Sequence, residues 1–362
     1  MRYFLLSLSL SICLLTATTP APAQTATSSY RPGITAEGAV YYLPRTALRI
    51  SVLVERTAYE PGDFVAYAQR YLRLQNVPSE PSTTYRVVSI KQAPIGMADP
   101  KKAYAVKFNA KSVASNVALA DDGRLLALNA EPQPERLPAA FTPATKAPAP
   151  NPRQFMSEEI LAAGSMAKMA ELTAREIYDL RENRSLLIKG QADFMPKDGQ
   201  QLNLMLTQLD TQERALRSLF EGVTTRDTTE YVIVYTPTEA VSREVLFRLS
   251  QQDGMVDADD LSGDPFYIAI ERIDVLPPTD EEAAAKTKKK EHEAGIYVNI
   301  PGRMRSTIYQ GIEQVARMEC ASAQFGKVEL LSADLFNKQY TTQLWISPIT
   351  GAVERLQAEM KK

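Results

Sequence analysis

Histidine is almost absent from this chain of 362 residues, because His292 is its only example. It lies in a run of charged residues, Lys288 to Glu293, which is typical of a solvated loop. A Ser-His-Asp or Cys-His catalytic group needs a histidine, and many zinc sites use two or more. Such sites are excluded unless His292 serves them, and the sequence predicts no catalytic residue.

Cysteine is nearly as scarce, with only Cys13 and Cys320. Cys13 falls within a leader segment described below, so removing the leader leaves one cysteine and no intrachain disulfide. Cys320 lies in an apolar stretch, residues 315–323, which favours a small buried side chain over a catalytic or redox-sensing thiol. We therefore expect packing alone to stabilise the fold.

Glycine-rich phosphate-binding loops and dinucleotide-binding fingerprints are also missing, so no cofactor is predicted. Neither sign of charge is in excess, since the sequence contains 41 Lys and Arg residues and 43 Asp and Glu residues. This balance gives no reason to expect a nucleic-acid partner or an anionic membrane surface.

The first 23 residues have the pattern of a signal peptide. Arg2 precedes an apolar run, residues 4–15, and Ala21-Pro22-Ala23 supplies a cleavage site. The run is shorter than the roughly 20 residues that cross a bilayer, and no later run approaches that length. We therefore expect an exported protein of the periplasm or cell-envelope surface, with no transmembrane segment in the mature chain.

Alternating apolar and polar residues predict a β-rich domain with one helix over residues 24–130. Residues 48–55 have the pattern of a half-buried strand, and Pro61-Gly62 predicts a turn before a helix from Phe64 to Leu74. The sequence Asp121-Asp122-Gly123 is typical of a hairpin turn. Residues 131–152 contain seven prolines, which favours an extended spacer or mobile loop.

Two apolar seams at helical spacing predict a long antiparallel helical hairpin over residues 153–222. The first helix is expected from about Ser157 to Lys189, and the second from Gln200 to Glu221. Residues 223–362 return to strand-like runs separated by turn signals. The predicted fold class is α+β, with two β-rich, sandwich- or barrel-like domains and the hairpin between them.

Several ordered motifs span nearly the whole mature chain. They are Tyr41-Tyr42-Leu43-Pro44-Arg45-Thr46, Tyr59-x-Pro61-Gly62, Tyr67-Ala68-x-Arg70-Tyr71-Leu72, Leu180-Arg181-x-x-Arg184, Gly190-x-Ala192-Asp193-x-Met195-Pro196-x-Asp198-Gly199, Leu219-Phe220-x-Gly222, Ala323-Gln324-Phe325-Gly326 and Thr350-Gly351. Together they resemble the Bacteroidota secreted family catalogued as domain of unknown function 4831. The resemblance implies an envelope location and a shared architecture, and it supplies no activity or site residues.

Two groups of residues are candidates for binding. Asp257, Asp259 and Asp264 lie in an acidic, glycine-containing stretch that could hold Ca²⁺, although Leu261 replaces an expected oxygen ligand and a plain acidic turn is the alternative. Four of the clustered tyrosines are candidates for a partner-binding surface or, equally, for half-buried strand positions. They are Tyr41, Tyr42, Tyr67 and Tyr71.

Two hypotheses for function follow. The first is a non-enzymatic envelope protein that binds a protein partner or assembles a complex, with the hairpin as the docking element. The second is a carbohydrate-binding module or a glycoside hydrolase with a carboxylate pair, for which a glycan is the ligand. A flat apolar patch on the hairpin or a sheet edge would favour the first, and a cleft with paired carboxylates and coplanar aromatics the second.

Overall fold

The computed structural model describes residues 34–35, 38–107, 116–145, 149–274, 295–332 and 340–360. The predicted signal peptide and His292 lie outside the described residues. About half of the described chain is in antiparallel strands and a smaller part is helical, which confirms the α+β class.

Three antiparallel sheets make up the β structure. The first contains β1 (Ile34–Thr35), β2 (Gly38–Glu60), β3 (Ser82–Lys107) and β6 (Val223–Tyr235). The second, in the order β11-β10-β9-β7-β8, contains β7 (Val241–Ser250), β8 (Gly254–Val256), β9 (Asp264–Arg272), β10 (Gly295–Gln310) and β11 (Glu313–Ser332). The third, in the order β13-β12-β5-β4, contains β4 (Val117–Leu119), β5 (Leu125–Leu128), β12 (Tyr340–Ile346) and β13 (Val353–Met360). The predicted hairpin turn at Asp121-Asp122-Gly123 joins β4 to β5, and Gly123 adopts a φ of 85° there.

The two predicted β-rich segments share their sheets. β2 pairs with β3 on one side and with β6 on the other, and β5 pairs with β12. Two of the hydrophobic cores also combine residues from before and after the helices: one contains Leu43 and Leu344, the other Ile50 and Ile268. The boundaries at residues 130 and 223 therefore do not separate two independent sets of strands.

The helical part contains α1 (Ala68–Leu72), α2 (Glu158–Leu161), α3 (Met166–Lys189) and α4 (Gly199–Glu221). Ser157, Ser165 and Asp198 cap α2, α3 and α4 by accepting backbone N–H groups. The second serine cap divides the region predicted as one helix from Ser157, and the predicted helix 64–74 is a 3-10 turn followed by α1.

α3 and α4 run in opposite directions, as two ion pairs between them show. Arg181 Nε lies 2.7 Å from a carboxylate oxygen of Glu213, and Arg184 Nε lies 3.0 Å from one of Asp210. The beginning of α3 and the end of α4 pack with α1 in a third hydrophobic core. The last buried residue that α3 contributes to this core is Leu180. Its fully buried α4 residues begin only at Leu216.

The proline-rich segment is fastened to the sheets at three points. Trp345 Nε1 donates to Glu131 O at 3.0 Å, Arg124 pairs with Glu135 at 3.1 Å, and the Phe141 N–H donates to Glu230 at 3.1 Å. Residues 131–145 form neither helix nor strand, in keeping with their prolines. This part of the segment lies along the protein rather than acting as a free spacer.

Candidate functional site

Tyr41 is fully buried, which removes it from the candidates for partner binding. Its hydroxyl accepts from the Tyr297 N–H at 2.8 Å and donates to the Tyr297 carbonyl at 3.1 Å. Burial raises the pKa of this phenol above its usual value. Tyr41 is a core residue that joins β2 to β10.

The burial of Tyr41 predicts a loss of stability in alkali. Above about pH 10 the unfolded tyrosine loses its proton while the folded one keeps it, so the unfolded state binds fewer protons. The free energy of unfolding should then fall by about 1.4 kcal/mol per pH unit for this group. Urea unfolding between pH 8 and pH 11 measures the slope, which should be shallower in Tyr41→Phe. An identical slope in the variant would contradict the assignment.

The other three tyrosines are half-buried. Tyr67 and Tyr71 pack on the third core, and Tyr71 O accepts from the Tyr178 hydroxyl of α3 at 3.0 Å. The Tyr42 N–H donates to Gly123 O at 2.9 Å, next to the β4–β5 turn. Tyr67 and Tyr71 therefore hold α1 against α3, and the four tyrosines form no common surface.

The acidic loop closes on itself and on an arginine. The Asp260 N–H donates to Asp257 O, and Arg248 donates to the carbonyls of Ala258 and Gly263 at 2.7 and 3.1 Å. Within the described ranges, no three acidic, histidine or cysteine side chains form a group that could hold a metal ion. In this part of the chain Asp257, Asp259 and Asp264 are not brought together as a ligand set, and the calcium site stays a prediction of the sequence.

Among the described residues, the carboxyl groups that have shifted pKa values do not have the shift of a general acid. Glu271 and Glu319 approach each other across β10, but both pair with Arg305, at 3.0 and 2.9 Å. The carboxyl groups with shifted pKa values, Glu230, Asp260 and Glu319, all have lowered values, the first through the Ser51 hydroxyl and the last through arginines. A general acid needs the opposite shift.

Cys320 is half-buried, and burial raises its pKa to about 11. The thiol therefore stays protonated at neutral pH, which is typical of a structural cysteine. The sequence-based interpretation as a packing residue agrees with this environment.

Motifs far apart in the sequence meet in a buried polar layer. Gln324 accepts from the Thr46 N–H at 2.9 Å and donates to the Thr46 carbonyl at 2.7 Å, which ties β11 to β2. Asn299 Nδ2 donates to Pro44 O at 3.2 Å and to Thr350 O at 2.7 Å. These contacts satisfy backbone groups at the point where the long strands pass between the first two cores. The motifs therefore have a structural role here.

Two further sequence motifs, one around Gly62 after β2 and one around Leu219 at the end of α4, also contact each other. The Phe64 N–H donates to Leu219 O at 2.8 Å, and the rings of Phe64 and Phe220 lie 5.3 Å apart. Gly62 lies so close that a Cβ atom would stand 2.1 Å from Leu219 O. Only glycine fits this contact between the sheet and the helices.

The far ends of α3 and α4 differ from these packed regions. We define the helix tip as residues 181–213, which include the connecting segment 190–198. The first eleven residues of α4, Gly199–Leu209, carry no charged side chain, and Leu204 among them is 61% exposed. Phe194 in the connection is 88% exposed. Exposed helices normally present charges to water, so this composition is typical of a surface that another molecule covers.

An apolar groove of about 540 Å³ runs along the helix tip. α3 contributes Asn183, Leu186 and Leu187, the connection Ala192, Asp193 and Phe194, and α4 Leu204, Met205, Gln208, Leu209 and Gln212. Every buried residue of α4 lies at or after Ala215, so the half of α4 that forms the groove has no buried side chain. The groove is therefore our candidate functional site.

Sequence reasoning recognised the helices but did not single out Phe194 or Leu204. The signal was present in the uncharged run 199–209, which is apolar on more than one face of the helix. Leu202, Leu206 and Leu209 already provide an apolar face for contact with α3. Leu204 lies off this face, so packing on α3 does not require it to be apolar.

Comparison with known proteins identifies a family without assigning an activity. A family model described as domain of unknown function (DUF4831) matches residues 37–354. Neither a curated protein nor a solved structure matches the chain. No helix in the described ranges has both the length and the apolar character needed to cross a membrane. The chain belongs to the family described as domain of unknown function 4831.

Proposed function

We propose that this chain is a non-enzymatic, exported protein of the cell envelope whose helix tip binds another protein. The observation that carries the proposal is the apolar groove, in whose lining Phe194 and Leu204 are exposed and Asp193 is the only charged residue. Fully burying a phenylalanine or leucine side chain contributes about 1.5–3 kcal/mol, so these two residues are the candidate anchors of an interface.

Export rests on the signal-peptide pattern of residues 1–23, and the envelope location on the family resemblance. The helical hairpin formed by α3 and α4 serves as the docking element, as the sequence hypothesis had it. The packed polar layer and the Gly62 contact support this division of roles, because the first joins the sheets to each other and the second fixes the base of the helices to β2.

The test is cross-linking in the native envelope, followed by purification of the tagged protein. The double variant Phe194→Ser/Leu204→Ser should lose a protein partner that the wild type retains. Ile312→Ser is the matched control, since Ile312 is 97% exposed in the turn between β10 and β11, outside the groove lining, and should leave the partner in place.

Folding of the double variant is checked by its circular-dichroism spectrum, which should match that of the wild type because both side chains are exposed in the single chain. Equal recovery of the partner by the double variant would overturn the assignment of the site. Absence of any protein partner, including a second copy, from the wild type would overturn the proposed function itself.

A further inference from the structure

We infer that the groove of the helix tip is filled by a second copy of this chain, the two tips packing as a four-helix bundle around a two-fold axis. This inference rests on the proposed function and names the partner at the same site. Two-fold dimers are the commonest homo-oligomers, and a two-fold interface requires a patch that is complementary to itself.

The charges of the helix tip meet this requirement. Residues 181–213 contain four basic and five acidic side chains, and two of each sign are paired between α3 and α4. Asp193 is the only charged residue that lines the groove. Two tips, each with one acidic residue in excess, therefore meet with little net repulsion, and the tip has no basic excess to attract an anionic membrane.

The polar residues of the groove are also self-complementary. Asn183, Gln208 and Gln212 line it beside the leucines. A side-chain amide carries both donors and acceptors, so each amide can pair with the same or a neighbouring amide of the other copy. A lipid surface would leave these amides without partners.

The dimensions of the groove suit paired helices. Leu204, Met205, Gln208, Leu209 and Gln212 recur at the spacing of one helix face and extend over about 12 Å. Phe194 lies at one end of the groove, so in a two-fold pair it would cover the other end of the partner's groove. Four helices would then enclose an apolar layer that two helices leave open.

Sedimentation equilibrium of the purified protein from about 1 to 200 µM tests the inference. The wild type and Ile312→Ser should show a reversible monomer–dimer equilibrium. Phe194→Ser/Leu204→Ser should raise the dimer dissociation constant at least about tenfold, because two apolar anchors per copy are lost.

Cysteine cross-linking locates the interface independently. In a Cys320→Ser background, Gln208→Cys should give dimers with a short bismaleimide, since packed helices lie about 8–10 Å apart. Ile312→Cys is the control and should give none at the same concentration.

The outcomes separate the two proposals. A monomer at all concentrations, with Gln208→Cys reacting no better than the control, would overturn the second copy as occupant. If the helix-tip variant still lost a different envelope protein, the proposed function would stand with another partner. If the helix-tip variant kept every protein partner of the wild type, both the proposed function and the inferred dimer would be contradicted.

Discussion

Gly62→Ala is expected to lower the free energy of unfolding by more than about 3 kcal/mol, the largest effect of a single methyl group that we foresee. The added Cβ would lie 2.1 Å from Leu219 O and 2.3 Å from Leu219 C. These are backbone atoms at the end of α4, so rotation of a side chain cannot relieve the contact. The chain must instead separate, which breaks the hydrogen bond from the Phe64 N–H to Leu219 O.

Urea unfolding of Gly62→Ala and Gly164→Ala measures this effect against a matched control. A Cβ atom at Gly164 meets nothing within 4 Å, and its φ is not positive. The control should therefore change stability by less than about 1 kcal/mol, in either direction. Equal destabilisation by the two substitutions would show that the contact between β2 and α4 is not as close as described.

Asn299→Asp is expected to destabilise the protein by about 3–5 kcal/mol at neutral pH. Asn299 is buried, and its Nδ2 group donates to the carbonyls of Pro44 and Thr350. Aspartate has nearly the same shape, but its oxygens would face these carbonyl oxygens and place an unpaired charge in the polar layer. The substitution thus removes two hydrogen bonds without creating a cavity.

The pH dependence of this variant gives a second check. Burial should raise the folded-state pKa of the new carboxyl above its unfolded value of about 3.9, so the folded state binds the extra proton first. The deficit relative to the wild type should shrink as pH falls through the folded-state pKa. Asn151→Asp is the control, because Asn151 is exposed and its cap to the Arg153 N–H survives the change. A similar loss in the control would contradict the role of the polar layer.

Local features of the fold could be predicted from the sequence because they depend on neighbouring residues. The Asp121-Asp122-Gly123 turn and the helix start at Ser157 are examples, since each involves groups within about four residues. The pairing of strands from both ends of the chain in one sheet could not be predicted. The register between β2 and β6, for example, pairs residues far apart in the sequence, such as Ile50 and Ile233. Alternation of apolar residues indicates that a strand has a buried face but not which distant strand lies beside it.

At the candidate site, too, some features could be predicted from the sequence and others depend on the tertiary structure. Tyr41 and Tyr71 have the same side chain and lie in neighbouring motifs. Tyr41 is nevertheless buried in a core, whereas Tyr71 packs on α3. Only the tertiary structure assigns these places. The uncharged run 199–209 was visible in the sequence, but the exposure of Leu204 depends on how α4 packs, and the buried residues of α4 all lie at or after Ala215.

The most direct test of the helix tip as a binding surface is photo-cross-linking in the native cell. A photoreactive amino acid at position 204 is compared with the same residue at position 312, both replacing exposed apolar side chains. We predict a discrete cross-linked protein complex from position 204 alone, with the mass of two chains when the partner is a second copy. Absence of a product from position 204, or equal products from both positions, would contradict the proposed function.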